Sequence, residues 1–260
     1  PTSLPGNLRP SGAGRRTIPC PYGSRPPWSL SGRSPSRRSW PPGQAPFPAG
    51  SRAQRPTSRP TPWTATSTRR AALIFEYASG EHKKYTYFEL HREVCRLARA
   101  LAGLGLSSGD RLLIHMPTLP ETVIGMLAAA RLGAVHCLTP TGFSAKALRR
   151  RIEASRAKII LTADGGLEGD RISPLKPVVD EALAGSAASR VETVVVVRHA
   201  GLDAPMQEGR DLFHHDILGA GRAALPPEPM DADAELFVLY TGSAQAAPRG
   251  IVHGHGGYMV

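Results

Sequence analysis

The first seventy residues limit the fold more than any other feature of this chain. They hold 12 Arg, 15 Pro and 11 Ser, with no Lys, Asp, Glu, Val or Met. A stretch so poor in aliphatic side chains cannot bury enough surface to offset the entropy of ordering its backbone. Residues 1–70 are therefore expected to be a disordered tail, and 71–260 to be the folded part. The tail also carries the charge. The chain as a whole is +11, a balance that ordinarily points to a nucleic-acid or membrane partner. Beyond residue 70 there are 20 basic and 21 acidic residues, so the folded part is close to neutral.

Several classes are excluded early. Cys20, Cys95 and Cys137 lie far apart with no C-x-x-C spacing, which argues against a disulfide framework or a zinc site. No run of 18 apolar residues is present, so no membrane-spanning helix is expected. The tail has none of the marks of an RRM, zinc finger or helix-turn-helix, so specific nucleic-acid binding is not expected and any polyanion binding would be salt-sensitive.

From Ala71 onward, strand-like and helix-like blocks alternate. Ala72–Glu76 is a short apolar run with Lys84–Thr86 as a hairpin partner. Thr86-Tyr87-Phe88-Glu89 fits a capping box, and Leu90, Val94, Leu97, Ala98 and Leu101 follow at helical spacing. Leu112–His115, Ala134–Leu138, Lys158–Thr162, Thr193–Val197 and Glu235–Leu239 read as strands. Glu121–Leu132, a segment from Ser144 to about Ala154, and Leu175–Ala184 read as helices, with one short helix near Asp211–Leu218. Apolar strands alternating with helices predict an α/β fold with a mainly parallel sheet flanked by helices.

Ligands of parallel sheets bind at the carboxyl ends of the strands. Two loops qualify, Ala163–Arg171 and Thr241–Gly250. A loop of small and hydroxyl residues ending in a cation can cradle phosphate oxygens through its N–H groups. Neither loop has the GxxxxGK[ST] or GxGxxG spacing, and on residues alone a plain surface loop remains open. His253 and His255, at i and i+2, are read as packing and hydrogen-bonding residues beside the second loop, with metal binding as the alternative. Arg149-Arg150-Arg151 is read as the solvated face of a helix, with phosphate contact as the alternative.

Several stretches resemble the acetyl-CoA synthetases, in the acetyl/propionyl branch of the AMP-forming ligases. They are Leu132-Gly133-Ala134-Val135-His136, Gly142-Phe143-Ser144-Ala145-Lys146-Ala147-Leu148, Thr162-Ala163-Asp164-Gly165-Gly166 and Pro174-Leu175-Lys176 with Val179-Asp180-Glu181-Ala182-Leu183. Phe237–Thr241 and Val252–Tyr258 close a collinear series covering nearly all of 71–260. The resemblance implies the first part of an adenylate-forming domain, with ATP, Mg²⁺ and CoA as cofactors and acetate or propionate as the acid. The implied reaction is ATP, acetate and CoA to acetyl-CoA, AMP and pyrophosphate. It also implies that the chain is a fragment, somewhat under a third of a complete enzyme and inactive alone. The alternatives are a catalytically dead interaction module and a non-specific polyanion-binding basic protein. No catalytic residue and no metal ligand is assigned within it.

Against the family's Y-T-S-G-S-T-G-x-P-K-G phosphate loop, this chain has Y-T-G-S-A-Q-A-A-P-R-G from Tyr240 to Gly250. Thr241, Gly242, Ser243, Arg249 and Gly250 are the implied ATP-binding residues. Both internal glycines are replaced, by Ser243 and Ala246, and the Ser-Thr pair is replaced by Ala244-Gln245. The family's R-G-G-R/K run for coenzyme A falls on Glu168-Gly169-Asp170-Arg171. Gly169 and Arg171 fit, while Glu168 and Asp170 place negative charge against a polyanion.

The resemblance leaves the compartment as cytoplasmic, with the mitochondrial matrix as the alternative. The Arg/Ser-rich tail is transit-peptide-like, but its prolines oppose the amphipathic helix such peptides form. A second reading of the tail is genetic. Read two bases later, the codons of Pro60–Arg69 force an Asp from Trp63-Thr64 and permit N-A-L-D-R-H-V-D-A, where the family has N-x-L-D-R-H-V-x-x. Residues 1–70 are then an out-of-frame translation.

Overall fold

The computed structural model describes residues 70–77, 80–168, 171–185, 190–219, 225–241 and 249–259. The tail expected over 1–70 lies, but for Arg70, outside the described residues. All the described residues belong to one compact unit.

The described chain begins with an antiparallel hairpin of β1 (Ala71–Glu76) and β2 (His82–Thr86). Thr86 ends the hairpin and opens α1 (Tyr87–Gly103) through the expected capping box. Its hydroxyl accepts the Glu89 N–H at 3.2 Å, and the Glu89 carboxylate accepts the Thr86 N–H at 2.8 Å. Two of the helix's otherwise unpaired donors are satisfied in this way.

Next come β3 (Arg111–His115), α2 (Pro120–Arg131), β4 (Val135–Leu138), α3 (Ala145–Ser155) and β5 (Ile159–Ala163). Pro120 opens α2, where a missing N–H costs nothing. Ser144 caps α3, accepting the Ala147 N–H at 3.4 Å. The chain continues through β6 (Gly165–Glu168), β7 (Arg171–Pro174), α4 (Lys176–Leu183), β8 (Thr193–Val197), β9 (Asp211–Phe213) and α5 (His214–Ile217). It ends in β10 (Glu235–Thr241), β11 (Arg249–Gly254) and α6 (His255–Met259).

Seven strands form one sheet in the order β11-β10-β4-β3-β5-β8-β9. All neighbours pair in parallel except β11, which is antiparallel to β10. The fold is α/β, as expected, with helices on both faces. On one face, α1 and α2 pack Leu97, Leu101, Ile124 and Ala128 on Leu112, Ile114, Ile159 and Leu161. On the other, α3 and α4 pack Leu148, Ile152, Val179 and Leu183 on Leu113, Ile160, Val194 and Val196. The alternation of faces along β3, β5 and β8 accounts for both clusters.

Two local readings change. Ala163–Arg171, read as a loop, is largely strand, because β6 and β7 form an antiparallel hairpin with Gly165 opposite Pro174 and Glu168 opposite Arg171. The segment near Asp211–Leu218, read as one helix, begins as β9, whose Asp211 and Leu212 pair with Val194 and Val195.

Candidate functional site

From β3 the chain steps to β4 on one side, then crosses back to β5, β8 and β9 on the other. The switch in direction lies between β3 and β5, and parallel sheets bind ligands outside the carboxyl ends of such strands. Those ends carry His115, Thr139 and Asp164, all buried.

Asp164 organises the right-hand side. Its Oδ1 accepts the N–H groups of Gly165, His199 and Ala200 at 2.8, 2.8 and 2.9 Å, and its Oδ2 accepts that of Leu202 at 3.0 Å. Burial pushes its carboxyl up, but the four N–H bonds outweigh burial and hold it below the usual carboxylate range. Through these bonds Asp164 ties together the segments that follow β5 and β8. Beside it lies a cleft of about 270 Å³, lined by Ile172, Pro174, Pro177, Leu202 and Ala204 among others.

At the switch itself, the Thr162 hydroxyl donates to the His115 carbonyl at 2.7 Å, and His115 Nδ1 lies 3.2 Å from the Thr139 carbonyl. Nδ1 therefore carries the proton, and Nε2 is the acceptor. His115 Nε2 and the Thr139 hydroxyl are buried without hydrogen-bond partners among the described residues. Burial lowers the His115 pKa, so its ring is neutral.

The residues implied for ATP binding lie on the left-hand side. Thr241 is the last residue of β10 and Arg249 the first of β11, and the two are opposite each other in the antiparallel register. Gly250 lies opposite Tyr240, where a Cβ would come 3.0 Å from Val238 Cγ1 and 3.2 Å from Tyr240 Cε1. A larger residue there would displace the Tyr240 ring. The structure thus brings Thr241, Arg249 and Gly250 together, while Gly242 and Ser243 lie outside the described residues. Of the pair implied for coenzyme A, Arg171 is exposed at the start of β7, and Gly169 lies outside the described residues.

The arginine run is not the solvated face expected. Arg149 donates to the carbonyls of Glu181 and Ala182 at 2.7 and 2.9 Å, capping the end of α4. Arg151 is 2 % exposed, turned inward beside Leu148 and Ile152. The sequence held a signal for it, since 148, 151, 152 and 155 lie on one helical face.

The histidines also differ from the reading. β11 ends at Gly254 and His255 starts α6, so His253 and His255 do not share a strand face. His253 stacks on Phe237 with ring centroids 4.5 Å apart, and Phe237 stacks on His136 at 5.3 Å, making an aromatic ladder across β11, β10 and β4. Packing is as expected for His255, but its hydrogen bonds are not. Both its ring nitrogens are buried without partners among the described residues.

Residue patterns gave no sign of a buried charge clasp on the far side. Lys176 Nζ lies 2.7 Å from both Asp180 and Asp211 carboxylates and donates to the Pro205 carbonyl at 2.9 Å. Arg210 Nε bonds Asp211 at 2.6 Å.

This chain belongs to the AMP-binding enzyme family, which matches it over residues 62–260. It is 47 % identical to the acetyl-coenzyme A synthetase of Pasteurella multocida over 191 residues, 74 % of this chain and 29 % of that protein. It is 46 % identical to the acetyl-coenzyme A synthetase of Mycobacterium tuberculosis over 180 residues, 69 % of this chain and 28 % of that one. Among solved structures it resembles acetoacetyl-CoA synthetase from Streptomyces lividans, with a TM-score of 0.65 and 28 % identity over 72 % of this chain and 28 % of that one. The chain thus spans under a third of the length of these relatives. No helix among the described residues is long and apolar enough to cross a membrane.

Proposed function

We propose that this chain is the nucleotide-binding portion of an AMP-forming acetate–CoA ligase, with Thr241–Gly250 as its ATP phosphate loop. The reaction would join acetate, or propionate, to ATP as an acyl-adenylate, release pyrophosphate and pass the acyl group to CoA. The register of the β10–β11 hairpin supports this reading most. It closes a loop of small residues at the carboxyl end of a parallel strand, with Thr241 facing Arg249 across its mouth. Carboxylate and phosphate repel each other, so such a reaction needs fixed cations and oriented N–H dipoles. Arg249 is the cation at this loop, and Arg171 with Gly169 serves the coenzyme A phosphates. Mg²⁺ would enter on the ATP phosphates and offset their charge.

The chain alone binds substrates and does not turn them over. Its departures at Ser243, Ala244, Gln245 and Ala246, and the acids Glu168 and Asp170, all weaken polyanion binding. The test is acetate-dependent exchange of labelled pyrophosphate into ATP, alongside an ATP titration. Weak ATP binding without exchange is the expected result. No ATP binding at saturating concentration would overturn the reading.

A further inference from the structure

A cleft of about 380 Å³ opens between β2, α1, α2 and α5, a size ordinary for a small-molecule site. Among the described residues, none of those implied for ATP or coenzyme A lines it. Part of its polar lining is already committed. The Glu89 carboxylate accepts the N–H and the hydroxyl of Thr86 at 2.8 and 2.9 Å. Glu93 pairs with Arg92 at 3.0 Å and with Arg96 at 2.9 Å.

The rest of the lining is not. Lys83 and Lys84 come from β2, Glu121 from the first turn of α2 and His214 from the start of α5. Lys83 Nζ lies 5.0 Å over the Tyr85 ring, a contact that leaves its donors free for a ligand. Lys83, Lys84 and Glu121 make no ion pair among the described residues, with each other or with any other group. His214 Nε2 is buried without a hydrogen-bond partner among the described residues.

One cleft thus carries two ammonium groups and a carboxylate that are not joined. Such a set is complementary to a ligand that bears both charges and bridges them. A simple anion would be repelled by Glu121, and a simple cation by the lysines. Ile124 and Leu218 supply an apolar wall beside these charges.

We propose that this cleft binds a free α-amino acid with an apolar side chain. Its carboxylate lies against Lys83 and Lys84, its ammonium against Glu121, and its side chain against Ile124 and Leu218. His214 Nε2 takes a further hydrogen bond at the polar end. The site is independent of the phosphate-loop reading.

The test is an NMR titration of the full chain with L-leucine. Isoamylamine, which lacks the carboxylate, and isocaproate, which lacks the ammonium, are the matched analogues. Leucine should shift the amides of 83–85, 121–124 and 214–218, with a dissociation constant of about 1 mM or below. Each analogue should bind about tenfold more weakly, the loss of one charge-assisted contact. Glu121→Gln should weaken leucine by about tenfold and leave isocaproate no weaker than before. The double variant Lys83→Met with Lys84→Met should weaken leucine similarly and leave isoamylamine no weaker. No leucine shift at about 20 mM, shifts outside these three segments, or an analogue that binds as well as leucine would overturn the proposal. So would variants that leave leucine affinity unchanged. If the double lysine variant does not fold, Glu121→Gln against leucine and isocaproate decides alone.

Discussion

Lys176 Nζ lies 2.7 Å from Asp211 Oδ2, and neither side chain touches solvent. The pair ties the start of α4 to β9, two elements that join no common helix or hairpin. Lys176 also bonds Asp180 and the Pro205 carbonyl, and Arg210 takes the other Asp211 oxygen. Burial pushes the Asp211 carboxyl up, but hydrogen bonds from Arg210, Lys176 and the Gln207 N–H outweigh it and hold the pKa low. Removing one partner leaves the other buried with only its remaining ion pair, to Asp180 or to Arg210, which costs up to about 3–5 kcal/mol. Lys176→Met and Asp211→Leu should each destabilise by roughly that amount, while the double variant should cost clearly less than their sum. Urea denaturation of the three variants checks it.

Much of this architecture was legible from residue pattern, and the reasons are local. The capping box at Thr86 and Glu89 satisfies its own donors within four residues, so its sequence mark and its structure coincide. Thr193–Val197 could only be an interior strand, because both of its faces are apolar. The hairpin after β5 was not legible. It is set by Asp164, whose four N–H partners come from residues up to 38 positions away. Arg151 was hidden by its neighbours. In a run of three arginines composition suggests water, yet helical geometry sends the three side chains to different sides. At the candidate site, the facing of Thr241 and Arg249 depends on antiparallel pairing of β11, which the mainly parallel pattern did not predict.

Stability should fall in mild acid. Burial first, and the nearby His255 second, lower the His136 pKa to about 4. Burial also lowers those of His115, His214 and His255. These rings are neutral when folded and take up protons more readily when unfolded, near the usual 6.5. Their stabilising effect is therefore complete above about pH 6.5 and is lost as pH falls toward 4. His136 alone contributes on the order of 3 kcal/mol across that window. His136→Phe keeps a ring for Phe237 to stack on, and it should remove about one proton's worth of slope from urea midpoints measured between pH 6.5 and 4.

The β11 edge should drive self-association. Ile251 and Val252 are 48 % and 50 % exposed on opposite faces of an edge strand, with Leu239 beside them at 42 %. An exposed apolar edge is a template for further strand pairing. Light scattering should therefore rise with protein concentration under native conditions. Ile251→Lys combined with Val252→Lys should suppress the rise without altering the melting temperature by more than a few degrees. A cooperative melt above about 60 °C with no association would contradict the expectation.

ATP affinity should be poor in this chain and recoverable by restoring the loop. The family pattern has glycine where Ser243 and Ala246 stand, and hydroxyls where Ala244 and Gln245 stand. A Cβ at a position that needs positive φ costs about 1 kcal/mol, and it also keeps the backbone from approaching a phosphate closely. Two such positions, with two lost hydroxyl donors at about 1 kcal/mol each, would amount to about 4 kcal/mol, or roughly a thousandfold in affinity. The native chain should therefore bind ATP in the millimolar range. The five changes Gly242→Ser, Ser243→Gly, Ala244→Ser, Gln245→Thr and Ala246→Gly together should tighten binding at least tenfold in calorimetric titration. Changing Arg249→Ala in that restored background should cancel most of the gain, because the cation at the mouth of the hairpin would be gone. Micromolar affinity in the native chain, or no response to the restored loop, would show that nucleotide binding does not run through Thr241–Gly250.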